Sequence, residues 1–303
     1  MVDKKEEILV VGGTGFIGYH LVNFLKKKNF KVVVGAAHLP KKKRFVKGIK
    51  YIKCDITKKR HFRKFSNFNF KYIVNLGGHV DHTNKKKTHY SHYHGVKNLS
   101  KFFLKKEIKS FIQMGSGGEY GNLKSPHKET DICKPSSTST YSQAKYLATK
   151  YLIGLYKKKK FPCTVLRLYQ TYGPKQDTNR FLPILITNCL KNTKFQTSHG
   201  KQFRDFIFIN DLVLIIYKCI KSFKARGQII NVGFGKPINI RKIILKVMKI
   251  CNGGKPEFGK IVLRKEENII TYPNIDKLKR ILLFKPRTSF EKGIRTTIKS
   301  YRN

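Results

Sequence analysis

Three residue types that can move a proton at a carbon-bound oxygen stand out in the chain: Tyr141, Lys145 and Ser116. Tyr141 and Lys145 are four positions apart in a segment whose apolar spacing predicts a helix over 139–158, so both side chains share one face. A phenol of pKa about 10 is a poor base at neutral pH, and a neighbouring ammonium stabilises its phenolate. The spacing by itself is not selective, because Tyr93, Tyr120, Tyr146, Tyr156 and Tyr217 also precede a lysine by four. Context singles out Tyr141. The stretch Pro-Ser-Ser-Thr-Ser-Thr (135–140) leads into it, small residues Ser142 and Ala144 follow it, and a hydroxyl partner, Ser116, lies just past a predicted strand in Met114-Gly115-Ser116-Gly117-Gly118-Glu119-Tyr120-Gly121.

The element that would bring a second reactant to this trio is at the start of the chain. Residues 12–18 read Gly-Gly-Thr-Gly-Phe-Ile-Gly, between a predicted strand and a predicted helix. Gly12, Gly15 and Gly18 permit a tight turn, close backbone approach to a pyrophosphate and close helix–strand packing; Phe16 and Ile17 share the loop. The helix N-terminus then offers free N–H groups to phosphate. A dinucleotide is expected there, with Tyr141 exchanging a proton while hydride moves at a nicotinamide and Lys145 bonding its ribose. An acid that would read the ribose hydroxyls of NAD is missing after the second strand, where Ala36 stands, and Lys41, Lys42, Lys43 and Arg44 follow. NADP(H) is therefore expected over NAD(H), with NAD still open. Asp55, followed by Ile56 after the third strand, is placed to accept from the adenine amino group.

These residues need a scaffold, and the hydropathy pattern supplies one. Apolar runs at Ile8–Val11, Lys31–Gly35, Tyr51–Cys54, Tyr72–Leu76, Ser110–Met114 and Thr164–Leu168 alternate with helical patterns near 17–28, 58–66, 91–106 and 139–158. This predicts an α/β fold with a doubly wound, Rossmann-type parallel sheet. After Gly173-Pro174 the rhythm changes: a helix near 180–191, strands at Arg204–Ile209 and Gln228–Val232, and helices near 211–222, 239–251, 276–282 and 289–301. The expected division is a dinucleotide-binding domain of 1–173 plus about 205–235, and a smaller α+β substrate domain of 174–204 and 236–303.

The chain carries 65 Lys plus Arg against 17 Asp plus Glu, a formal +48. The lysine runs are scattered and no RNA-binding signature accompanies them, so nucleic acid is not an expected partner. Six cysteines without C-x-x-C spacing predict free buried thiols. His79, His82, His89, His92 and His94 crowd one loop without metal-ligand spacing and are expected to be solvated. A glycine turn as early as Gly12 leaves no room for a secretory leader, and Phe206–Ile220 is too short and polar to span a bilayer, so a cytoplasmic chain without membrane contact is expected.

Taken together, Gly12–Gly18, Gly115–Gly121, Tyr141/Lys145, Leu166–Pro174 and Arg204–Asp211 resemble the extended short-chain dehydrogenase/reductases, the NAD-dependent epimerase/dehydratase family. The resemblance implies a sugar-nucleotide substrate, with Arg204 on a phosphate, Asn179 and Arg180 near the diphosphate, and Leu76, Gly77 and Gly78 passing close to the cofactor. It also implies a homodimer. Glu119 and Gln170 fall at substrate-contacting positions, Gln170 where Asn often touches the sugar, and His92 stands where Asn is common. Gly117 and Gly118 replace the acidic pair of the 4,6-dehydratases, and the Glu119-Tyr120-Gly121 variant is similar to deoxysugar synthases such as CDP-abequose synthases and dTDP-4-keto-6-deoxyglucose reductases. The expected activity is a 4-keto-6-deoxyhexose reductase. The alternatives are a nucleotide-sugar 4-epimerase and, in another class, a non-catalytic dinucleotide- or RNA-binding protein on the same fold.

Overall fold

The computed structural model describes residues 5–263 and 268–302. Its strands are β1 (Glu7–Val11), β2 (Lys31–Ala36), β3 (Lys50–Lys53), β4 (Phe70–Asn75), β5 (Ser110–Ser116), β6 (Cys163–Leu168), β7 (Gln170–Tyr172), β8 (Lys194–Thr197), β9 (Phe203–Phe208), β10 (Ile229–Val232), β11 (Pro237–Asn239), β12 (Lys255–Phe258) and β13 (Ile270–Thr271). The longer helices are α1 (Phe16–Lys27), α2 (Lys85–His89), α3 (Gly95–Leu104), α4 (Thr140–Lys159), α5 (Phe181–Leu190), α6 (Ile209–Lys221), α7 (Ile240–Cys251), α8 (Asp276–Leu282) and α9 (Phe290–Arg302).

Seven strands form one parallel sheet in the order β10-β6-β5-β4-β1-β2-β3. Alternation along each strand sends side chains to two separate cores. Ile8 and Val10 pack with α1 and α6 on one face, whereas Leu9 and Val11 pack with α3 and α4 on the other. Strand order reverses between β1 and β4, and at such a switch point the strand ends leave a crevice. The Gly12–Gly18 turn, the end of β4 and the end of β5 all open there.

The chain crosses to a second, mixed sheet earlier than the rhythm of the sequence indicates. β7 already pairs with β9, which also holds β11 and β13. α6 and β10 then return to the large sheet. α5, α7 and α9 pack together beside the paired strands β8 and β12.

Two predicted helices differ. The pattern near 58–66 folds as a tighter 3-10 segment, Lys59–Phe65. The helix expected from 91 begins at Lys85, where the Asn84 side chain accepts from the Lys87 N–H, and is interrupted by a π-helical turn at Tyr90–His94 before α3. That turn inserts extra backbone and rotates His92 into the protein interior, a distortion that concentrates at functional sites.

Close packing leaves Gly18 no room for a side chain. A Cβ there would meet backbone atoms of Gly12 and Gly13, which cannot yield as a flexible side chain can. Gly18→Ala is expected to lower stability by about 1–3 kcal/mol, read as a lower denaturant midpoint at unchanged m-value; an unchanged midpoint would contradict this packing.

Candidate active site

The crevice has a volume of about 470 Å³ and is lined by residues from both sheets. Its centre is set by α4 against β5. The Ser139 hydroxyl caps α4 by accepting from Ser142 N–H. One turn on, Lys145 is buried, and its Nζ donates to the Met114 carbonyl at 2.6 Å. Burial lowers the Lys145 ammonium to about 8, with Glu119 opposing the shift. The ammonium stands 5.6 Å from the centre of the Tyr141 ring.

Tyr141 is half-buried, and its phenol and the Ser116 hydroxyl both face the crevice. Burial raises the Tyr141 pKa, the Ser116 hydroxyl nearby lowers it, Glu119 raises it and Arg180 lowers it. Ser116 Oγ accepts from Gly118 N–H at 3.1 Å, which leaves its own proton for the phenol or for a bound oxygen. Ser116, Tyr141 and Lys145 thus line one crevice.

Gly12, Gly15, Phe16, Ile17, Gly18, Leu76 and Gly78 line the same crevice, together with Gln170, Arg180 and Arg204. The residues present fit a dinucleotide. α1 opens on Gly15 with no side chain capping its N–H groups, and a Cβ on Gly15 would enter the crevice with only the Gly12 carbonyl near it. Gly77 backs the loop from behind, since a Cβ on Gly12 would meet its N at 2.8 Å. Ala36 is buried at the end of β2. The Asp55 carboxylate accepts from Thr57 N–H and Oγ1–H, and Ile56 is packed inside, against Gly95. Asn179 is exposed and does not line the crevice, whereas Arg180 begins α5 at its edge. Arg204 donates to the carbonyls of Phe203 and Ile269.

Two expectations are corrected. Arg44 does not offer a free guanidinium to a ribose phosphate. It is buried, its Nη2 donates to the Lys175 carbonyl at 2.6 Å and pairs with Asp177 at 2.8 Å, and so it ties the loop after β2 to the loop before α5. Glu119 does not face substrate. It is fully buried, accepts from Ser116 N–H at 2.9 Å, and pairs with Arg167 Nε at 2.9 Å beneath the crevice.

The histidines are a third correction. His79, His82 and His92 all line the crevice, but only His92 is buried there; His79 is half-buried and His82 stays exposed, and among the described residues no metal-ligating group forms. The His82 ring stacks on Tyr141 at 4.2 Å between centres, and the His92 ring meets it edge-on at 4.9 Å. The π-turn that places His92 has no signal in hydropathy. Tyr169 also enters the crevice unannounced: its ring covers Gly117, and its hydroxyl bonds His127 Nδ1 at 2.6 Å.

The NAD dependent epimerase/dehydratase family model matches residues 8–233, a span that contains the glycine turn, Ser116, Tyr141 and Lys145. The chain belongs to that family. A UDP-N-acetyl-alpha-D-glucosaminuronate decarboxylase of Bacillus cytotoxicus is 25% identical, with 98% of each chain covered. A UDP-glucuronate 4-epimerase of Thermodesulfobacterium geofontis is 26% identical over 96% of this chain and 94% of that one. The UDP-glucose 4-epimerase of Thermotoga maritima, solved with UDP-glucose, shares the fold at a TM-score of 0.91 and 24% identity, over 98% of both chains. Among the described residues no helix is long and apolar enough to cross a membrane.

Two outcomes follow from this geometry. Glu119→Gln leaves the Arg167 cation buried without its counter-charge and is expected to cost about 3–5 kcal/mol of stability, measured by denaturant unfolding; a loss below about 1 kcal/mol would contradict a buried pair. If the Lys145 ammonium serves the reaction, kcat/KM is expected to fall as pH rises through about 8, and a profile flat to about pH 10 would contradict it.

Proposed function

We propose that this enzyme is a nicotinamide-dependent oxidoreductase acting at the 4-position of a nucleotide-linked sugar, specifically a 4-keto-6-deoxyhexose reductase. The observation that carries the reading is a proton-transfer trio with, among the described residues, no free carboxylate beside it. Gly117 and Gly118 occupy the crevice wall next to Ser116, and Glu119 is turned beneath it. Among the described residues, the two acids that line the crevice are engaged: Asp177 with Arg44, and Asp205 with the N–H groups of Phe234, Gly235 and Lys236 at 2.7, 2.6 and 3.0 Å. Eliminating water from a sugar needs a second acid–base pair. Exchange of one proton and one hydride at one carbon does not.

When bound, the nicotinamide supplies the hydride. The protein's own groups handle the oxygen. The Ser116 hydroxyl donates to the keto oxygen and holds it, and Tyr141 gives that oxygen its proton as the carbon is reduced. The raised pKa of the half-buried phenol suits a donor, because the proton is present at neutral pH. The phenolate left behind is stabilised by the Lys145 ammonium, itself held by Met114. Arg180 and Arg204 present guanidinium groups along the crevice, suited to a diphosphate. For the cofactor we propose NADPH over NADH. The reading rests on the missing acid at Ala36 and on exposed Lys41, Lys42 and Lys43, without Arg44.

A 4-epimerase is the second reading, favoured by the similarity to 4-epimerases of Thermodesulfobacterium and Thermotoga. The same trio would then remove and return the proton in turn. Incubation with NADPH or NADH and a panel of 4-keto-6-deoxy sugar nucleotides separates the two. Reduction predicts stoichiometric loss of the reduced-cofactor absorbance, faster with NADPH. Interconversion of UDP-glucose and UDP-galactose with no net cofactor change would overturn it. Under either reading Tyr141→Phe is expected to lower kcat by about 10²–10⁴-fold with cofactor affinity kept; turnover at the native rate would remove Tyr141 from its role.

A further inference from the structure

The segment from Gly78 to Thr83 crosses the crevice above Tyr141 and is tied down along its length. His79 N–H donates to Ser91 Oγ at 2.9 Å, and that hydroxyl donates to the Thr88 carbonyl. The Asp81 carboxylate accepts from Thr83 N–H and from Thr83 Oγ1–H at 2.6 Å. His92 Nε2 donates to the His79 carbonyl at 3.1 Å. A carbonyl can only accept, so Nε2 carries the proton and Nδ1 is a bare acceptor. That Nδ1 is buried without a partner among the described residues, a costly arrangement in an otherwise satisfied interior. Gly78 permits it, because any Cβ there would run into the His92 ring.

We propose that this strap is a positioning device for Tyr141, in which His82 covers the ring face and His92 braces the ring edge, holding the phenol in line with Ser116 and shielding it from water. The rings have the geometry for it. His82 lies nearly parallel to the phenol, at 19° between planes and 4.2 Å between centres, and His92 stands perpendicular at 89° and 4.9 Å. Such contacts fix a ring in rotation as well as in position. The two imidazoles also meet each other, at 5.9 Å. Both are biased toward the neutral form: His92 is lowered to about 2 by burial and then by Lys145, and His82 is lowered by burial and by Arg180, Lys145 and His79, against Asp81. The charged groups facing the phenol are therefore Lys145 on its own helix, Arg180 at the start of α5, and Glu119 below. Neither histidine adds a charge of its own to this set at neutral pH.

Neither residue touches a reacting atom in this arrangement, and both act through Tyr141. The inference rests on Tyr141 being the proton-transferring group. Its first test needs no substrate, so a failed choice of sugar leaves it decidable. The phenolate of Tyr141 is followed by ultraviolet absorbance against pH, with the Tyr141→Phe protein as the subtraction. In His82→Ala, water reaches the ring, and the midpoint is expected to move down by about half a pH unit or more. In His82→Phe, which keeps a ring on the exposed strap, the native midpoint is expected to return. In turnover, His82→Ala is expected to lower kcat about tenfold to a hundredfold at unchanged cofactor affinity, with His82→Phe recovering most of it. Tyr141 titrating at the native pH in His82→Ala overturns the proposal. So does a His82→Phe protein as impaired as His82→Ala, since a ring nitrogen and not the stacked ring would then be what serves.

Discussion

The site depends on one buried hydrogen bond, from the Lys145 ammonium to the Met114 carbonyl. An ammonium in a dry interior is costly unless it is held by an acceptor, and this one is held by backbone of the sheet. The bond locks the first turns of α4 onto the end of β5. Because Tyr141 is one turn back on α4 and Ser116 two residues on from Met114, the same contact fixes the phenol against the hydroxyl. Burial lowers the ammonium to about 8, which keeps it largely charged at neutral pH while leaving it sensitive to its surroundings.

A second buried charge supports the first from below. Glu119 accepts from the Ser116 N–H with one oxygen and pairs with Arg167 through the other. The Arg167 guanidinium in turn stacks on Tyr120, whose hydroxyl donates to Asn231 of β10. The hydroxyl that holds a substrate oxygen is therefore mounted on a network reaching the edge strand of the sheet. This explains why an acid can stand three residues after the serine without serving as a catalytic acid. Its charge is satisfied inside the protein.

The sequence made the fold and the core of the site readable because those signals are local. Seven residues hold the whole glycine turn, and Tyr141 and Lys145 meet within one helical turn. Where the determining contact is not local, the sequence does not display it. Arg44 has the composition of a phosphate reader, but its partners lie 131 and 133 positions away. Glu119 is in a crevice motif, yet its partner Arg167, 48 positions on, draws it under the sheet. The histidine cluster looks solvated in a polar loop, and only a π-turn, which leaves no periodicity to count, brings His92 against the phenol. Likewise β7 is too short to announce its pairing with β9, which takes the chain to the second sheet at Gln170.

The central claim is geometric: one oxygen of a bound sugar must meet Tyr141 and Ser116 at once. A crystal structure of the protein with an oxidised nicotinamide cofactor and a nucleotide sugar tests it directly. The account predicts the ring oxygen substituent at the reacting carbon within about 3 Å of both the phenol and the serine hydroxyl, with Lys145 still on the Met114 carbonyl. A sugar seated away from Tyr141, or a Lys145 released from β5 when the ligands bind, would contradict it.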